Sequence, residues 1–418
     1  MKHRDLLISL FNAAVQAAEP AKGMARFLPS PPASGRTVVI GAGKGAAQMA
    51  AALESLWPSP LEGVVVTRYG YGCKTRNIEV LEAAHPVPDT AGLHATERLF
   101  AAISSLGPDD LVIALICGGG SALLPAPPVG LSLADEIALN EVLLASGAPI
   151  SVMNTVRKHV SRIKGGRLAA ATRAKVVSLI VSDIPGDNAA HVASGPTVPD
   201  PSTREEALAL VDHFGLHLPD NVMAHLRSPA AEAPGPEDPA FQRNAHHIIA
   251  SAGISLEAAA SIAEAKGYTP YLLSDSMEGE SRDIALAHAA LVRETIGKNR
   301  PFRRPAVLLS GGETTVTLRT KSGKGGRNSE FALALALALE GQSFCALAAD
   351  TDGIDGFGDH AGAFCDGTTA TRLRRLGLDG RQRLAQNDSF TAFEALGDLF
   401  VTGPTGTNVN DFRAIVID

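Results

Sequence analysis

The stretch Thr37 to Leu56, TVVIGAGKGAAQMAAALESL, decides the fold class. Thr37 to Ile40 is a run of β-branched residues that suits a buried strand. It closes on Gly41-Ala42-Gly43-Lys44-Gly45, and a helical segment follows from Ala46 to Leu56. Strand, glycine turn and helix in that order make a βα unit, with the helix N-terminus at the carboxyl edge of a sheet. Downstream the pattern repeats. Gly63 to Thr67 reads as a strand and Leu93 to Ser105 as a helix; Leu111 to Cys117 is a strand ending in Gly118-Gly119-Gly120-Ser121. Ser132 to Ser146 and Asn154 to Ala170 read as helices, and the strand Lys175 to Val181 ends in Ser182-Asp183-Ile184-Pro185-Gly186-Asp187. Such alternation predicts an α/β fold with a parallel, doubly wound sheet and a site where its strands end.

Composition shifts at Ser228 to Pro239, SPAAEAPGPEDP, which reads as a linker. Beyond it, strands are expected at His246 to Ala250, Thr269 to Leu273, Ala306 to Ser310 and Phe344 to Ala349, with helices at Ser255 to Lys266 and near Ser281 to Ile296. The runs Asp398 to Thr402 and Phe412 to Ile417, joined by Gly-Pro-Thr-Gly-Thr-Asn, suit a hairpin. These features predict a second α/β domain with a mixed sheet, and two domains spanning 1–238 and 239–418. The N-terminal segment, with Asp5, Asn12 and Gln16 among its apolar residues, reads as an amphipathic helix rather than a signal peptide or a membrane span.

At 418 residues with 45% apolar and 19% charged residues, the chain has the composition of a two-domain globular protein. Its net charge of −7 argues against general nucleic-acid binding, and no apolar run reaches the length of a membrane span. Four separated cysteines, Cys73, Cys117, Cys345 and Cys365, suggest neither a zinc ribbon nor a disulfide framework. The cytoplasm is the expected setting.

The candidate site residues lie at strand ends. Gly43 and Lys44 occupy the first glycine turn. With Gly41 and Ala46 they also satisfy the dinucleotide fingerprint; the next strand ends in Thr67-Arg68 and lacks the ribose-binding acid, although Arg68 could instead meet the 2′-phosphate of a phosphorylated cofactor. Gly119, Gly120 and Ser121 permit close approach of an anion, or simply make a tight turn. Arg157, Ser161 and Lys164 fall on one face of the predicted Asn154–Ala170 helix and suit either an anion or water. Asp183, Asp187, Asp350 and Asp352 stand at strand ends, where aspartates cap turns, contact a metal or serve as a base. The stretch Ser310 to Leu339 adds Glu313, then a basic glycine loop with Lys321, Lys324 and Arg327 before an apolar helix. That loop reads as half of a phosphate site.

Together these motifs resemble one family. Gly-Ala-Gly-Lys at 41, His-Pro-Val-Pro-Asp at 85, Cys-Gly-Gly-Gly-Ser at 117, Asn-Thr-Val-Arg-Lys-His at 154, Ser-Asp-Ile-Pro-Gly-Asp at 182 and Ala-Ser-Gly-Pro-Thr at 193 follow in order. Ser-Gly-Gly-Glu at 310, Gly-Gly-Arg-Asn-Ser-Glu at 325, Asp-Thr-Asp-Gly-Ile-Asp-Gly at 350 and Thr-Gly-Pro-Thr-Gly-Thr-Asn at 402 complete the set. The chain resembles the glycerate 2-kinases, in which a Rossmann-like three-layer domain precedes a MOFRL domain. The resemblance implies transfer of the ATP γ-phosphate to the 2-hydroxyl of D-glycerate with Mg²⁺ or another divalent metal, at a cleft between the domains. It implies Lys44 and Arg327 as the central cations. Asp187 is the first candidate base or metal contact, with Asp183, Asp350 and Asp352 as metal contacts. Gly43, Gly119, Gly120, Ser121, Arg157, Lys164, Glu313, Lys324, Thr407 and Asn408 are the expected substrate or phosphate contacts. Expected partners are the small molecules D-glycerate and ATP, with a homodimer allowed and neither nucleic acid nor membrane. Some relatives carry the label hydroxypyruvate reductase, so an NAD(P)H-dependent reductase is the alternative.

Overall fold

The computed structural model describes residues 2–318 and 323–418. These form two compact units, Pro20–Ile249 and a second made of Met1–Glu19 with Ala250–Asp418.

In the first unit six strands lie in the order β3-β2-β1-β4-β5-β6: β1 (Thr37–Ala42), β2 (Glu62–Arg68), β3 (Ile78–Ala83), β4 (Leu111–Cys117), β5 (Lys175–Val181) and β6 (Ala245–Ala250). The four pairs among β1 to β5 are parallel. Every residue of β1 and β4 is buried, as expected of central strands covered on both faces. Val38, Ile40, Val112, Ala114 and Ile116 face one core with Leu99 and Ile103 of the Thr90–Ile103 helix. The chain runs outward from β1 to β2 and β3, then returns to β4 on the other side. The carboxyl ends of β1 and β4 therefore form the topological switch point, where open α/β sheets bind ligands.

Three expectations change here. The Asn154–Ala170 helix is interrupted: one helix ends at His159, Gly165 and Gly166 take φ of 60° and 80°, and a short helix resumes at Arg167. The proline-rich segment is no free linker, because Ala231, Ala233 and Phe241 are buried, Phe241 in the core beneath the sheet. Consequently β6, expected to open the second domain, closes the first sheet. The edge strand β3 was absent from the sequence reading, since its charged Glu79 and Glu82 disguise a half-buried edge.

The second unit holds a mixed sheet ordered β11-β10-β9-β12-β8-β7, with β7 (Thr269–Glu280), β8 (Ala306–Thr315), β9 (Cys345–Asp350), β10 (Gly362–Asp366), β11 (Leu399–Phe400) and β12 (Asp411–Ile417). β7 and β8 are parallel, and the remaining pairs are antiparallel. The runs around β11 and β12 form no hairpin. β11 pairs with β10 at the sheet edge, whereas β12 inserts between β8 and β9. One sheet face carries the Arg327–Ala338 helix, whose Ala-Leu repeat is buried over most of its length.

The other face is covered by the Ala252–Ala265 helix and by the N-terminal helix Lys2–Ala17. Leu7, Leu10, Phe11 and Ala14 are essentially inaccessible, and the Phe11 ring meets Phe400 and Phe412 edge-on at 5.0 and 5.7 Å. The chain's first helix thus belongs to the unit that its last residues complete, unlike the division at 238/239 expected from composition. Periodicity identifies an amphipathic helix but leaves its partner unspecified. Phe11→Ala removes the ring at the centre of this face and should lower the unfolding free energy by about 3–5 kcal/mol. Urea denaturation of the whole chain, followed by near-UV absorbance and far-UV dichroism, measures the loss.

Candidate active site

Two clusters occupy strand ends, one in each unit, and their electrostatics are opposite. In the first unit Gly43 follows β1 with φ 137°, and a Cβ there would stand 2.4 Å from both the carbonyl oxygen and the Sγ of Cys117. Only glycine lets the turn close on the end of β4. The closure uses the turn's amides: Gly43 N–H donates to Val66 O at 3.1 Å, Lys44 N–H to Gly118 O at 2.9 Å, and Ala46 N–H to Gly43 O at 3.1 Å. The Gly45 amide donates to Cys117 Sγ at 3.2 Å, while burial pushes that thiol up to about 12. Thr67 Oγ1 donates to Lys44 O at 2.9 Å, which fixes the backbone below the ammonium. The turn therefore offers a side chain, Lys44, rather than amides.

The second glycine turn lies beside it. A Cβ on Gly119 would stand 3.0 Å from Lys44 Cγ and 3.1 Å from His85 Nε2; one on Gly120 would stand 2.7 Å from Ala193 Cβ. Gly118 leaves room for the Asp183 carboxylate. Ser121 Oγ lies 2.9 Å from Ser194 Oγ, which donates to Asn154 Oδ1 at 3.3 Å. The same oxygen accepts from Arg157 Nη1 at 3.2 Å, and Arg157 Nε donates to Asn140 Oδ1 at 2.7 Å. Ala193 and Ser194 sit at φ 52° and 60°, a conformation costly for non-glycine residues and one that persists where the surroundings enforce it.

The cations here lack direct ion pairs, although the Glu136 charge acts on Arg157 from a distance. Among the described residues Lys44, Arg68 and Arg157 pair with no carboxylate. Arg68 lies 3.7 Å over the Tyr71 ring and its Nε is buried without a hydrogen bond. Arg157 has only amide oxygens as partners, and burial presses its pKa below the ordinary value. Cations held at a switch point without counter-ions suit an anionic ligand.

Lys164 is different. Its Nζ binds Glu136 Oε1 at 2.6 Å and Leu124 O at 3.0 Å, and the pair is buried. Because the helix breaks at Gly165-Gly166, Arg157, Ser161 and Lys164 form no stripe; Ser161 Oγ accepts the amides of Ile163 and Lys164. Lys164 thus sits in a buried ion pair, and a ligand would have to compete with Glu136 for it. Asp187 is half-buried at φ 51°, and among the described residues no hydrogen bond joins its side chain to the Ser121 network.

In the second unit the Arg327 guanidinium meets three carboxylates: Asp411 at 2.5 Å, Asp350 at 2.6 Å and Glu313 at 2.9 Å. Burial opposes its charge, but the three acids outweigh it and raise its pKa. Asp411 also binds Arg413, Asn328 Nδ2 at 2.8 Å and Thr314 N–H at 3.1 Å. Burial raises the Asp350 pKa well above its ordinary range, against the pull of Arg327. Asp355 caps the Arg327–Ala338 helix, accepting the amides of Asn328 at 2.9 Å and Ser329 at 2.8 Å. These are the amides that the phosphate-site reading of the loop required. An internal carboxylate takes them, and Arg327 is neutralised rather than free.

Lys324 is exposed, 5.0 Å from the Phe357 ring, and Lys321 lies outside the described residues. Thr407 and Asn408 hold their own loop, through Thr407 Oγ1 to Ala18 O at 2.8 Å and Asn408 Oδ1 from Asn410 N–H at 2.9 Å. Among the described residues no group of three or more His, Cys, Asp or Glu side chains is arranged to hold a metal. Asp350 has both oxygens committed, one to Arg327 and one to the Asp352 amide. It does not fit the metal contact expected of it.

Residues 6–227 match a domain of unknown function (DUF4147), and residues 306–411 match the MOFRL family. A glycerate 2-kinase of Pyrococcus horikoshii is 38% identical over 100% of this chain and 98% of its own length. The chain belongs to the glycerate 2-kinase family. A crystal structure of glycerate kinase from Thermotoga maritima, 37% identical, superposes with a TM-score of 0.90 over 100% of both chains. A protein of Agrobacterium vitis, provisionally named hydroxypyruvate reductase, is 50% identical over 99% of this chain and 94% of its own. The full-length superposition accords with the parallel sheet followed by a mixed one.

Asn154, Ser194, Arg68 and His85 were not named as site residues from sequence. Asn154, His85 and Ser194 lie inside the quoted family motifs, which was the available signal; Arg68 had been weighed only as a cofactor contact. Lys164→Ala should destabilise the chain by about 3–5 kcal/mol by stranding Glu136. The double change Lys164→Met with Glu136→Leu should recover most of that loss in urea denaturation, as a ligand role for Lys164 would not require.

Proposed function

We propose that this chain is a glycerate 2-kinase, transferring the γ-phosphate of ATP to the 2-hydroxyl of D-glycerate to give 2-phospho-D-glycerate and ADP. The observation that carries the reading is the set of cations without counter-ions, Lys44, Arg68 and Arg157, gathered about two glycine turns at the switch point. The full-length likeness to glycerate kinases supports it. Phosphoryl transfer asks a protein mainly to position donor and acceptor and to place positive charge over the oxygens of the transferred group. Lys44, on a backbone fixed by Gly118 and Thr67, suits the phosphate. Arg157, braced by Asn140 and Asn154, suits the acceptor's carboxylate, with Ser121 and Ser194 beside it as hydroxyl donors.

A divalent metal accompanying the nucleotide needs only one or two protein oxygens. Asp352, with one oxygen accepting the Ile354 amide, is the carboxylate of its loop that could serve such a contact. The Arg327 cluster serves this reading as a rigid frame. Its carboxylates hold the guanidinium in one orientation, and an arriving phosphate would have to compete with them.

The names of the Agrobacterium relatives keep the reductase reading in view. Against it, all four amides from Gly43 to Ala46 already have partners within the protein, whereas a dinucleotide turn needs amides free for the pyrophosphate.

Incubation with D-glycerate, ATP and Mg²⁺ should yield a product that enolase consumes directly, which separates 2-phosphoglycerate from the 3-isomer. Lys44→Ala should lower kcat by about 10²–10³-fold, as loss of a charge-stabilising group does, with its melting temperature retained. Consumption of NADPH with hydroxypyruvate, and no ADP release, would replace this reading by the reductase one.

A further inference from the structure

The reaction needs an acceptor for the hydroxyl proton, and the acids considered so far are poorly placed to take it. Asp350 is committed to Arg327, and among the described residues no hydrogen bond or ion pair joins the Asp187 side chain to Lys44, Arg68 or Arg157. One other proton acceptor stands over the second glycine turn. His85 follows β3, and its ring Nε2 and Cδ2 lie 3.1 and 3.2 Å from where a Cβ on Gly119 would be, with the Lys44 side chain at 3.0 Å from the same point. The imidazole and the Lys44 stem thus flank a space that Gly119, at φ 79°, leaves open.

The loop carrying His85 is anchored. Asp89 caps the Thr90–Ile103 helix through the Gly92 amide at 3.0 Å and also accepts from Tyr69 Oη at 2.8 Å. The ring itself is half-buried, and neither nitrogen has a hydrogen-bond partner among the described residues. His191 Nδ1 and both nitrogens of His360 are likewise buried without a hydrogen bond, His360 Nε2 lying 3.6 Å from Asp355 in the second unit, whereas two other histidines are satisfied. His159 is satisfied by Ala231 O, and His288 by Ile284 O and Ser310. His191 has Lys158 and Asp200 as its charged neighbours, a pair already joined to each other.

We propose that His85 is a catalytic residue of the kinase reaction. Its imidazole accepts the proton of the acceptor 2-hydroxyl as that oxygen bonds to the γ-phosphorus. The bond from phosphorus to the bridging oxygen breaks, and its electron pair leaves with ADP. This inference rests on the kinase reading above.

The charged groups facing the ring are Lys44, from the turn after β1, and Arg68, at the end of β2. Of the acids flanking it in sequence, Glu82 is held by the Gly70 and Gly72 amides and Asp89 by its cap; Asp183 packs against Gly118, the next residue of the turn. Burial first, then Lys44 and Arg68, lower the His85 pKa from 6.5 to about 4. The ring is therefore unprotonated at neutral pH and ready to accept. A phosphate bound to Lys44 and Arg68 cancels their charge, so the proton affinity of His85 rises when the donor is present. A protonated base is inactive, so the rate falls as pH drops through this pKa. The acid limb of kcat, which reports the loaded enzyme, should lie at higher pH than the acid limb of kcat/KM for ATP, which reports the enzyme before the donor binds.

The test compares wild type, His85→Gln and His85→Ala in glycerate-dependent ADP release across pH. The inference expects kcat to fall by about 10²–10⁴-fold, as loss of a general base does, with the KM for ATP little changed and the acid limb abolished. Added imidazole should partly restore His85→Ala, which a merely structural residue would not allow. In NMR titrations the His85 resonance, assigned by its loss in His85→Gln, should move its midpoint upward when a non-hydrolysable ATP analogue is bound. A folded His85→Gln with wild-type kcat and an unchanged pH profile would overturn the assignment alone. Absence of glycerate-dependent ADP release in the wild type would instead overturn the kinase reading, and this inference with it.

Discussion

The closure of the first glycine turn onto the end of β4 is the constraint from which the candidate site follows. Gly43 approaches Cys117 so closely that no side chain fits, and the four amides from Gly43 to Ala46 are spent in making the approach. The turn keeps no backbone donors for a ligand and presents Lys44 instead. Because β1 and β4 are neighbours across the switch point, the same closure brings the Gly118–Ser121 turn beside Lys44. Through Ser121 and Ser194 it extends to Asn154 and Arg157. A small steric fact at one glycine thereby organises side chains from four separate segments.

The two strand-end clusters show how similar residue types reach different electrostatic states. Arg327 is surrounded by Asp411, Asp350 and Glu313, and its helix start is capped by Asp355. Charge and amides are both satisfied internally, which favours rigidity. Among the described residues Lys44, Arg68 and Arg157 make no ion pair with a carboxylate, only the more distant Glu136 acting on Arg157, an arrangement that suits an anionic ligand. Under the proposed function, anion binding in the first unit falls to these cations. The second unit holds a pre-formed network in which any ligand must exchange with existing partners.

Lysines with the same sequence appearance separate on the same criterion. Lys44 and Lys164 are both flanked by glycine-containing segments, yet Lys164 is ion-paired with Glu136 inside the protein while Lys44 forms no ion pair among the described residues. Burial of a charge is tolerated only with a partner. Whether a partner exists depends on which helix is packed alongside, and the Leu133–Ala145 helix supplies Glu136 to Lys164.

The sequence by itself determined the fold class. Short-range signals such as the β-branched run Thr37–Ile40, the glycine turns after β1 and β4 and the Ser132 cap depend on local sterics and hydrogen bonding, and each appears where expected. The order of motifs also determined the family. Partner choice was decided only by the tertiary structure. Strand pattern does not encode which strand lies alongside, so β6 went to the first sheet and β11 and β12 were separated by β10 and β9. An apolar helix face does not name the face it covers, so the N-terminal helix joined the second unit. Charge in a sequence does not reveal its counter-ion, so the carboxylates paired with Arg327 and Lys164 became visible only in the fold. His85 had no distinguishing local pattern beyond its motif, and its relation to Lys44 and Arg68 arises from strands that meet only in the folded sheet.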